Sequence, residues 1–340
     1  MSPRPGVRQF IVGLVAIPLS ALPFVAYLTM TPEGRLVRDK VSVALSPPRL
    51  PQVTDRTAAR MAGIAPRYSR GVMVLAYHGI GSSDAEGGFV ISPERFGEHL
   101  VALRTAGMKF VTAAQVADAF EGRRRLPRNA VMVTFDDGRA DAMMFADPLL
   151  EQADATATMF VIAGAATDPG VYYAGWDDIR AYAASGRWDI QSHTSSLHRQ
   201  REVKPGVSLP ALTSLAPKES IAEFRARVRT DLKSASSAIE SHIGTRPVAF
   251  AYPFGAYGAD RSNHPRIKAT LRREIARYHS LGFQQDDQRT IPLATCGSDP
   301  LRLRRLEIGD WSGTQLLRRI RSAARRTKTP DCARGYRRAG

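Results

Sequence analysis

The period of the hydrophobic and polar positions changes repeatedly along residues 71–325. Short apolar runs alternate with stretches in which apolar residues recur every three or four positions, which predicts alternating strands and helices. The predicted strands are 72–77, 108–111, 130–135, 157–162, 188–191, 248–252 and 303–308. This alternation favours a parallel β/α architecture, and the length fits a barrel better than an open sheet.

Helix starts are marked by residues that can cap them. A Ser or Thr before an apolar periodic stretch is typical of an N-cap, and a Glu or Gln three positions later completes a capping box. Thr112 with Gln115 and Ser220 with Glu223 show this pattern. The predicted helices begin after Ser92, Thr112 and Ser220, and two more cover 176–184 and 313–325.

The segment 10–30, FIVGLVAIPLSALPFVAYLTM, carries no charged residue. About 20 apolar residues span a bilayer core, whereas the apolar part of a cleaved signal peptide, the alternative, is shorter at about 7–15. We therefore predict an uncleaved transmembrane anchor at 10–30, preceded by a tail at 1–9 and followed by a linker or stalk at 31–70. Basic residues on both sides of the anchor leave its orientation open.

The formal net charge of +16 favours anionic partners. Arginines are dense from Arg318 onward, and residues 326–340 are predicted to be a basic, disordered tail. This tail is either simply solvated or binds anionic lipid or an acidic wall polymer. We predict no nucleic-acid partner, because the charge is accompanied by no recognition motif.

The two cysteines, Cys296 and Cys332, lack the CxxC spacing of a structural zinc site. They form either one disulfide, as in exported proteins, or two unrelated free thiols.

Chemically reactive side chains follow several predicted strands. Asp136 and Asp137 come directly after the third strand, and His193 and His198 follow the fifth. Because the carboxyl ends of parallel strands meet at one edge, we expect these side chains to lie together. One carboxylate and two imidazoles suit a zinc hydrolase, and the second carboxylate would serve as a general base. A non-haem iron centre is the alternative metal chemistry.

Two further segments are weaker indications by themselves. His78 follows the first predicted strand, a position that structural histidines also occupy. A strand breaks at Pro253 and turns at Gly255, where backbone N–H groups either face a developing oxyanion or belong to an ordinary loop.

The segment Thr134-Phe-Asp-Asp-Gly138, the histidine pair and the later Tyr-Pro-Phe-Gly turn, in that order, resemble the polysaccharide deacetylase family. This family is also called the NodB-homology or carbohydrate esterase 4 domain, and the resemblance covers residues 71–325. It implies a distorted (β/α) barrel of about seven strands. It also implies a hydrolase that removes N-acetyl groups from an N-acetylglucosamine-containing polysaccharide of the cell envelope or outside the cell.

The resemblance also assigns roles and a cofactor. The cofactor is a divalent metal ion, zinc first, with cobalt or nickel as alternatives. The implied roles are Asp136 as catalytic base, Asp137, His193 and His198 as metal ligands, and Phe254 as an oxyanion-binding amide in a turn with Tyr252, Pro253 and Gly255.

Three departures from the common family pattern agree with one another. The five-residue spacing of the histidines resembles the branch that acts on poly-β-1,6-N-acetylglucosamine. Ala251 stands where an arginine usually orients the base, and no histidine follows His279 to act as general acid. In that branch a histidine after the first strand takes the acid's role, which implies His78.

Together with the anchor at 10–30, the sequence predicts a single-pass membrane protein with an extracytoplasmic catalytic domain. A catalytically inactive carbohydrate-binding module on a membrane stalk is the alternative.

Overall fold

The computed structural model describes residues 26–28, 30–81, 89–286 and 292–327. The chain divides into one unit that ends at Pro47 and a second that begins at Pro48. In the first unit, the helix Pro32–Leu45 begins after Thr31, whose side chain accepts a hydrogen bond from the N–H of Gly34. Most of the predicted anchor 10–30 lies outside the described residues. Within the part of the chain that is described, no helix has the length and hydrophobicity needed to cross a bilayer.

The second unit is built on parallel strands. The strands in chain order are β1 (Gly71–Tyr77), β2 (Gly79–Ile80), β3 (Val90–Ile91), β4 (Lys109–Phe110), β5 (Ala130–Phe135), β6 (Ala157–Val161), β7 (Trp188–Ser192), β8 (Gln200–Lys204), β9 (Val207–Pro210), β10 (Ala249–Ala251), β11 (Leu281–Asp286), β12 (Ala294–Thr295) and β13 (Leu303–Glu307). Seven of them, β1, β5, β6, β7, β10, β11 and β13, pair in parallel in that cyclic order. The pairing of β1 with both β5 and β13 closes the sheet, which confirms the predicted seven-stranded barrel.

Helices alternate with these strands. The remaining helices are Asp55–Gly63, Pro93–Thr105, Ala113–Phe120, Ala140–Ala153, Ala163–Thr167, Trp176–Ala184, Ile221–Ile243, Ile267–Ile275 and Gly313–Arg326, with 3₁₀ turns at Ala211–Thr213, Pro253–Gly255 and Pro300–Arg302. The predicted capping boxes at Thr112 and Ser220 are both formed. Their hydrogen bonds are local, which is why the sequence reveals them.

Alternate residues of β1 and β5 belong to two different core clusters. Val72 and Met132 lie in the cluster that fills the barrel, whereas Met73 and Val133 lie in the cluster shared with the surrounding helices. This follows from the two-residue period of a strand. On β5 the interior-facing series continues beyond Met132 and ends at Asp136, at the carboxyl end of the barrel.

The predicted strands and the barrel strands differ at one place. The predicted strand 108–111 is reduced to β4, which pairs with the first two residues of β5, Ala130 and Val131, and is not one of the seven barrel strands. The seventh barrel strand is instead β11, which no pattern predicted. Its sequence, Leu-Gly-Phe-Gln-Gln-Asp, has few apolar residues and runs into a polar stretch, so its burial is visible only once β10 and β13 lie on either side of it.

The second half of the predicted stalk packs against the barrel domain. Met61 of the helix Asp55–Gly63 is fully buried, and Val53 and Tyr68 pack against the main core cluster. The hydroxyl of Tyr68 donates to the carbonyl of Ala130 on β5 at 2.6 Å. The compact domain therefore begins near residue 48 and not at residue 71.

The C-terminal helix Gly313–Arg326 matches its prediction, and the predicted basic tail lies outside the described residues from 328 onward. Cys296 is disulfide-bonded and is not the free thiol that was one of the two alternatives. Cys332, the second cysteine of the sequence, lies outside the described residues.

Candidate active site

A cleft of about 830 Å³ opens at the carboxyl ends of the barrel strands. The predicted site residues that line it are His78, Asp136, Asp137, His193, His198, Phe254 and Gly255. The side chains that were expected to meet from separate strands therefore share one cavity.

Asp137, His193 and His198 form a compact cluster. Oδ1 of Asp137 lies 3.5 Å from Nε2 of His193 and 3.4 Å from Nε2 of His198. These distances exceed those of ordinary hydrogen bonds. They match the separation of about 3.4 Å expected between two ligand atoms that sit on one tetrahedral cation. The three residues are therefore suited to hold a single divalent metal ion.

His193 is oriented by the neighbouring strand. It is buried, and its Nδ1 lies 2.9 Å from the carbonyl oxygen of Ala251 at the end of β10. Because a carbonyl can only accept a hydrogen bond, Nδ1 carries the proton and Nε2 presents its lone pair toward Asp137. This arrangement is typical of metal-binding histidines.

The turn between the two histidines explains their five-residue spacing. The backbone N–H groups of Ser195 and Ser196 donate to the carboxylate of Asp231, at 3.0 Å and 2.7 Å, and the Ser196 hydroxyl donates to it as well. The turn begins at Thr194, which adopts a left-handed conformation with φ +76°. It brings His198 back beside His193, with ring centroids 4.6 Å apart.

Asp231 comes from the long helix Ile221–Ile243 and was not predicted as a site residue. We expect Asp231→Ala to weaken metal binding by about 10–100-fold, because the turn that places His198 loses three hydrogen bonds. Metal titration by calorimetry measures this change. Glu240→Ala, at an exposed position of the same helix, is the matched control. Unchanged affinity in Asp231→Ala would show that the turn holds its shape without this carboxylate.

Asp136 is held by a buried arginine. Both oxygens of its carboxylate accept hydrogen bonds from Arg305 on β13, at 2.6 Å and 2.7 Å, and both side chains are almost wholly buried. Burial by itself would raise the pKa of Asp136, but the charge of Arg305 and its hydrogen bonds to the carboxylate outweigh it and hold that pKa well below its usual range. Asp136 is therefore an oriented carboxylate that can accept a proton.

Arg305 was missed by the sequence analysis, which noted only that the usual arginine is replaced by Ala251. The structure supplies a guanidinium from a different strand. The available signal was a basic residue at an inward-facing position of the predicted strand 303–308, in register with Leu303. Its partner could not be read from the pattern, since 169 positions separate the two residues.

His78 comes directly after β1. It precedes Asp136 in the sequence, whereas His193 and His198 follow Asp136. Its Nε2 is 4.0 Å from Oδ2 of Asp136, and its ring lies against that of Phe89, with centroids 5.0 Å apart. Its side chain is partly exposed to the cleft. A proton donor at this position can reach a group bound near Asp136.

The turn Pro253–Gly255 presents one backbone amide. Phe254 has φ +57°, and its N–H donates to no group among the described residues, whereas those of Gly255 and Ala256 are bonded within the turn. Gly255 has φ +66°, and a Cβ there would lie 2.7 Å from the carbonyl oxygen of Gln285. The ring of Phe254 stacks on that of His198 at 4.6 Å.

Tyr252 and Pro253, predicted to take part in substrate binding, are buried beneath this turn and do not line the cleft. The Tyr252 hydroxyl donates to the carbonyl of Leu301 at 2.8 Å. In the structure, both residues support the turn from below.

Comparison with known sequences finds a family model that matches the part of the chain carrying most of this site. The sequence model described as polysaccharide deacetylase matches residues 123–266, a stretch that contains both aspartates, both histidines and Phe254. Over these residues the chain is similar to the polysaccharide deacetylase family. His78 and Arg305 lie outside the stretch matched by the deacetylase model.

Among curated proteins, the chain is similar to poly-β-1,6-N-acetyl-D-glucosamine N-deacetylases. It is 26% identical over 206 residues to the protein of Escherichia coli K12, which covers 54% of this chain and 31% of that protein. It is 21% identical over 236 residues to the protein of Staphylococcus epidermidis, covering 65% of this chain and 74% of that protein. The chain thus spans about a third of the length of the E. coli relative.

Two solved structures have a fold similar to that of this chain. The de-N-acetylase from Aggregatibacter actinomycetemcomitans aligns with a TM-score of 0.62 at 24% identity, covering 73% of this chain and 99% of that one. IcaB from Ammonifex degensii aligns with a TM-score of 0.56 at 25% identity, covering 74% of this chain and 97% of that one.

Proposed function

We propose that this protein hydrolyses the N-acetyl groups of an N-acetylglucosamine-containing polysaccharide of the cell envelope or outside the cell. The observation that carries the proposal is the placement of Asp136, a buried and arginine-paired carboxylate, beside the cluster of Asp137, His193 and His198. A hydrolase needs a base and an electrophilic centre that face the same reacting group. The names of the curated relatives support poly-β-1,6-N-acetylglucosamine as the first substrate to test.

Asp136 takes a proton from the water that attacks the acetyl carbon. Arg305 fixes both of its oxygens, so the carboxylate keeps one orientation while the proton arrives. A divalent metal ion held by the three-ligand cluster, zinc or alternatively cobalt or nickel, would polarise the acetyl carbonyl and lower the pKa of a bound water.

His78 donates a proton to the departing sugar amine, because it faces the cleft within reach of Asp136. The free N–H of Phe254 donates a hydrogen bond to the oxyanion that forms as water attacks. The products are acetate and a glucosamine unit of the polymer.

We also propose that residues 10–30 anchor the protein in the cell membrane and that the catalytic domain lies outside the cytoplasm. The disulfide at Cys296 supports this location, because disulfides persist in oxidising compartments. The arginine-rich C-terminal residues would then contact anionic lipid or wall polymer.

Acetate release tests the proposed activity. The full-length protein, stripped with a chelator and reloaded with zinc, cobalt or nickel, is assayed on poly-β-1,6-N-acetylglucosamine, chitin oligomers and peptidoglycan. We expect release from at least one polymer that disappears with the chelator and returns with metal. Binding of a polymer without acetate release under every metal condition would support an inactive carbohydrate-binding module instead.

A further inference from the structure

One wall of the cleft carries two arginines whose charge the proposed reaction does not use. Arg261 follows the turn that contains Phe254, and Arg302 lies just before β13. Both side chains are exposed and line the same cleft as Asp137, His193 and His198. Each is therefore available to a ligand that occupies the cleft.

Arg302 is held in a fixed orientation. Its guanidinium carbon lies 4.2 Å from the centroid of the Tyr257 ring, and its Nε donates to Oε1 of Gln284 at 3.1 Å. Lys268 lies toward the same ring, with Nζ 5.7 Å from the centroid. A guanidinium that is stacked and bonded through Nε keeps its two terminal nitrogens for a carboxylate or phosphate.

Arg261 is also held by its neighbours. Its Nη1 donates to the carbonyl of Phe254 at 3.2 Å, and its guanidinium carbon lies 6.0 Å from the centre of the Phe254 ring. It therefore stands next to the amide that would bind the oxyanion, at the margin of the reacting position.

Neither arginine forms an ion pair with an acid in the described part of the chain. The cleft does contain acids, but Asp136 is paired with Arg305, and Asp137 lies against His193 and His198. Asp260 and Glu307 also line the cleft without pairing to either arginine. Among the residues that the structure describes, the two guanidinium groups thus have no paired counter-charge.

Resting on the proposed deacetylation, we infer that the substrate is an acidic polysaccharide, in which a carboxylate or phosphate group next to the acetylated sugar binds Arg302 and Arg261. A neutral polymer would leave both arginines without an ionic partner. A polymer of free glucosamine units is cationic and would be repelled by them, which favours release of a fully deacetylated stretch.

The test compares acidic and neutral oligosaccharides of equal length. The metal-loaded full-length protein is assayed on a neutral N-acetylglucosamine oligomer, the same oligomer with carboxylate groups, and one with phosphate esters. We expect kcat/KM to favour at least one acidic oligomer by about tenfold or more, mainly through KM, since a hydrogen bond to a charged group is worth that much. Comparison of the carboxylate and phosphate oligomers identifies the anionic group.

The variants assign that preference to the two arginines. Arg302→Gln should reduce the acidic-to-neutral ratio, and Arg302→Gln with Arg261→Gln should bring it close to one. Arg124→Gln with Arg125→Gln makes the same change in net charge at an exposed site outside the cleft and should keep the wild-type ratio. Equal kcat/KM for acidic and neutral oligomers in the wild type would overturn the inference, as would a preference that persists in the double cleft variant.

Equilibrium binding separates this inference from the proposed reaction. If acidic oligomers bind more tightly through Arg302 and Arg261 but no oligomer releases acetate, the reaction is refuted and the anion site stands. If neutral and acidic oligomers lose acetate equally well, the reaction stands and the anion site is refuted.

Discussion

Asp136→Asn is expected to lower turnover by about 10²–10⁴-fold, the usual contribution of a positioned general base. Asparagine has nearly the shape of aspartate but cannot accept the proton of the attacking water. Steady-state rates on the best polymer and on a chromogenic acetyl ester measure the loss. Metal content should stay at the wild-type level, because Asp137 and the two histidines are unchanged.

The stability of Asp136→Asn is measured separately from its activity. Arg305 keeps a neutral acceptor but loses its counter-charge, so a lower melting temperature is expected, and metal content together with circular dichroism shows whether the fold persists. Asp118→Asn, at an exposed carboxylate of the helix Ala113–Phe120, is the control. Ester hydrolysis by Asp136→Asn at the wild-type rate would show that another group acts as the base.

Arg305→Met is expected to lower the free energy of unfolding by about 3–5 kcal/mol, because it leaves the carboxylate of Asp136 buried without a charge partner. Turnover should fall as well, since that carboxylate is no longer held by two hydrogen bonds. Urea denaturation of the full-length protein and kinetics on the same polymer measure the two effects.

The double variant Asp136→Asn with Arg305→Met separates the charge effect from a simple loss of packing. It contains no uncompensated buried charge, so its stability should exceed that of Arg305→Met alone. If the double variant were no more stable, the methionine would be destabilising through its shape, and the ion pair would not be the cause.

The general architecture could be predicted because its signals are local. Six of the seven barrel strands were predicted as apolar runs, and two capping boxes were predicted from residues three positions apart. The exception, β11, has little apolar character of its own. Its place depends on hydrogen bonds to β10 and β13, which no local pattern contains.

Residues 48–70 illustrate the same limit. Their prolines and scattered charges are typical of a linker, yet Met61 is fully buried and Tyr68 bonds to β5. A few apolar residues are enough to hold such a segment when a large hydrophobic surface is already present. That surface exists only after the barrel and its helices have formed.

The sequence by itself predicted which reactive side chains meet in one cleft: Asp136 and Asp137 at the end of an apolar strand, and His193 and His198 after another. It could do so because parallel strands direct the residues after their carboxyl ends to one edge of the sheet. The tertiary structure alone decided how those residues are held, with Arg305 on Asp136 and Asp231 beneath the histidine turn. Arg305 is 169 positions from Asp136 in the sequence, and Asp231 is 35 positions from Ser196. Barrel closure brings each pair together, and no spacing along the chain predicts it.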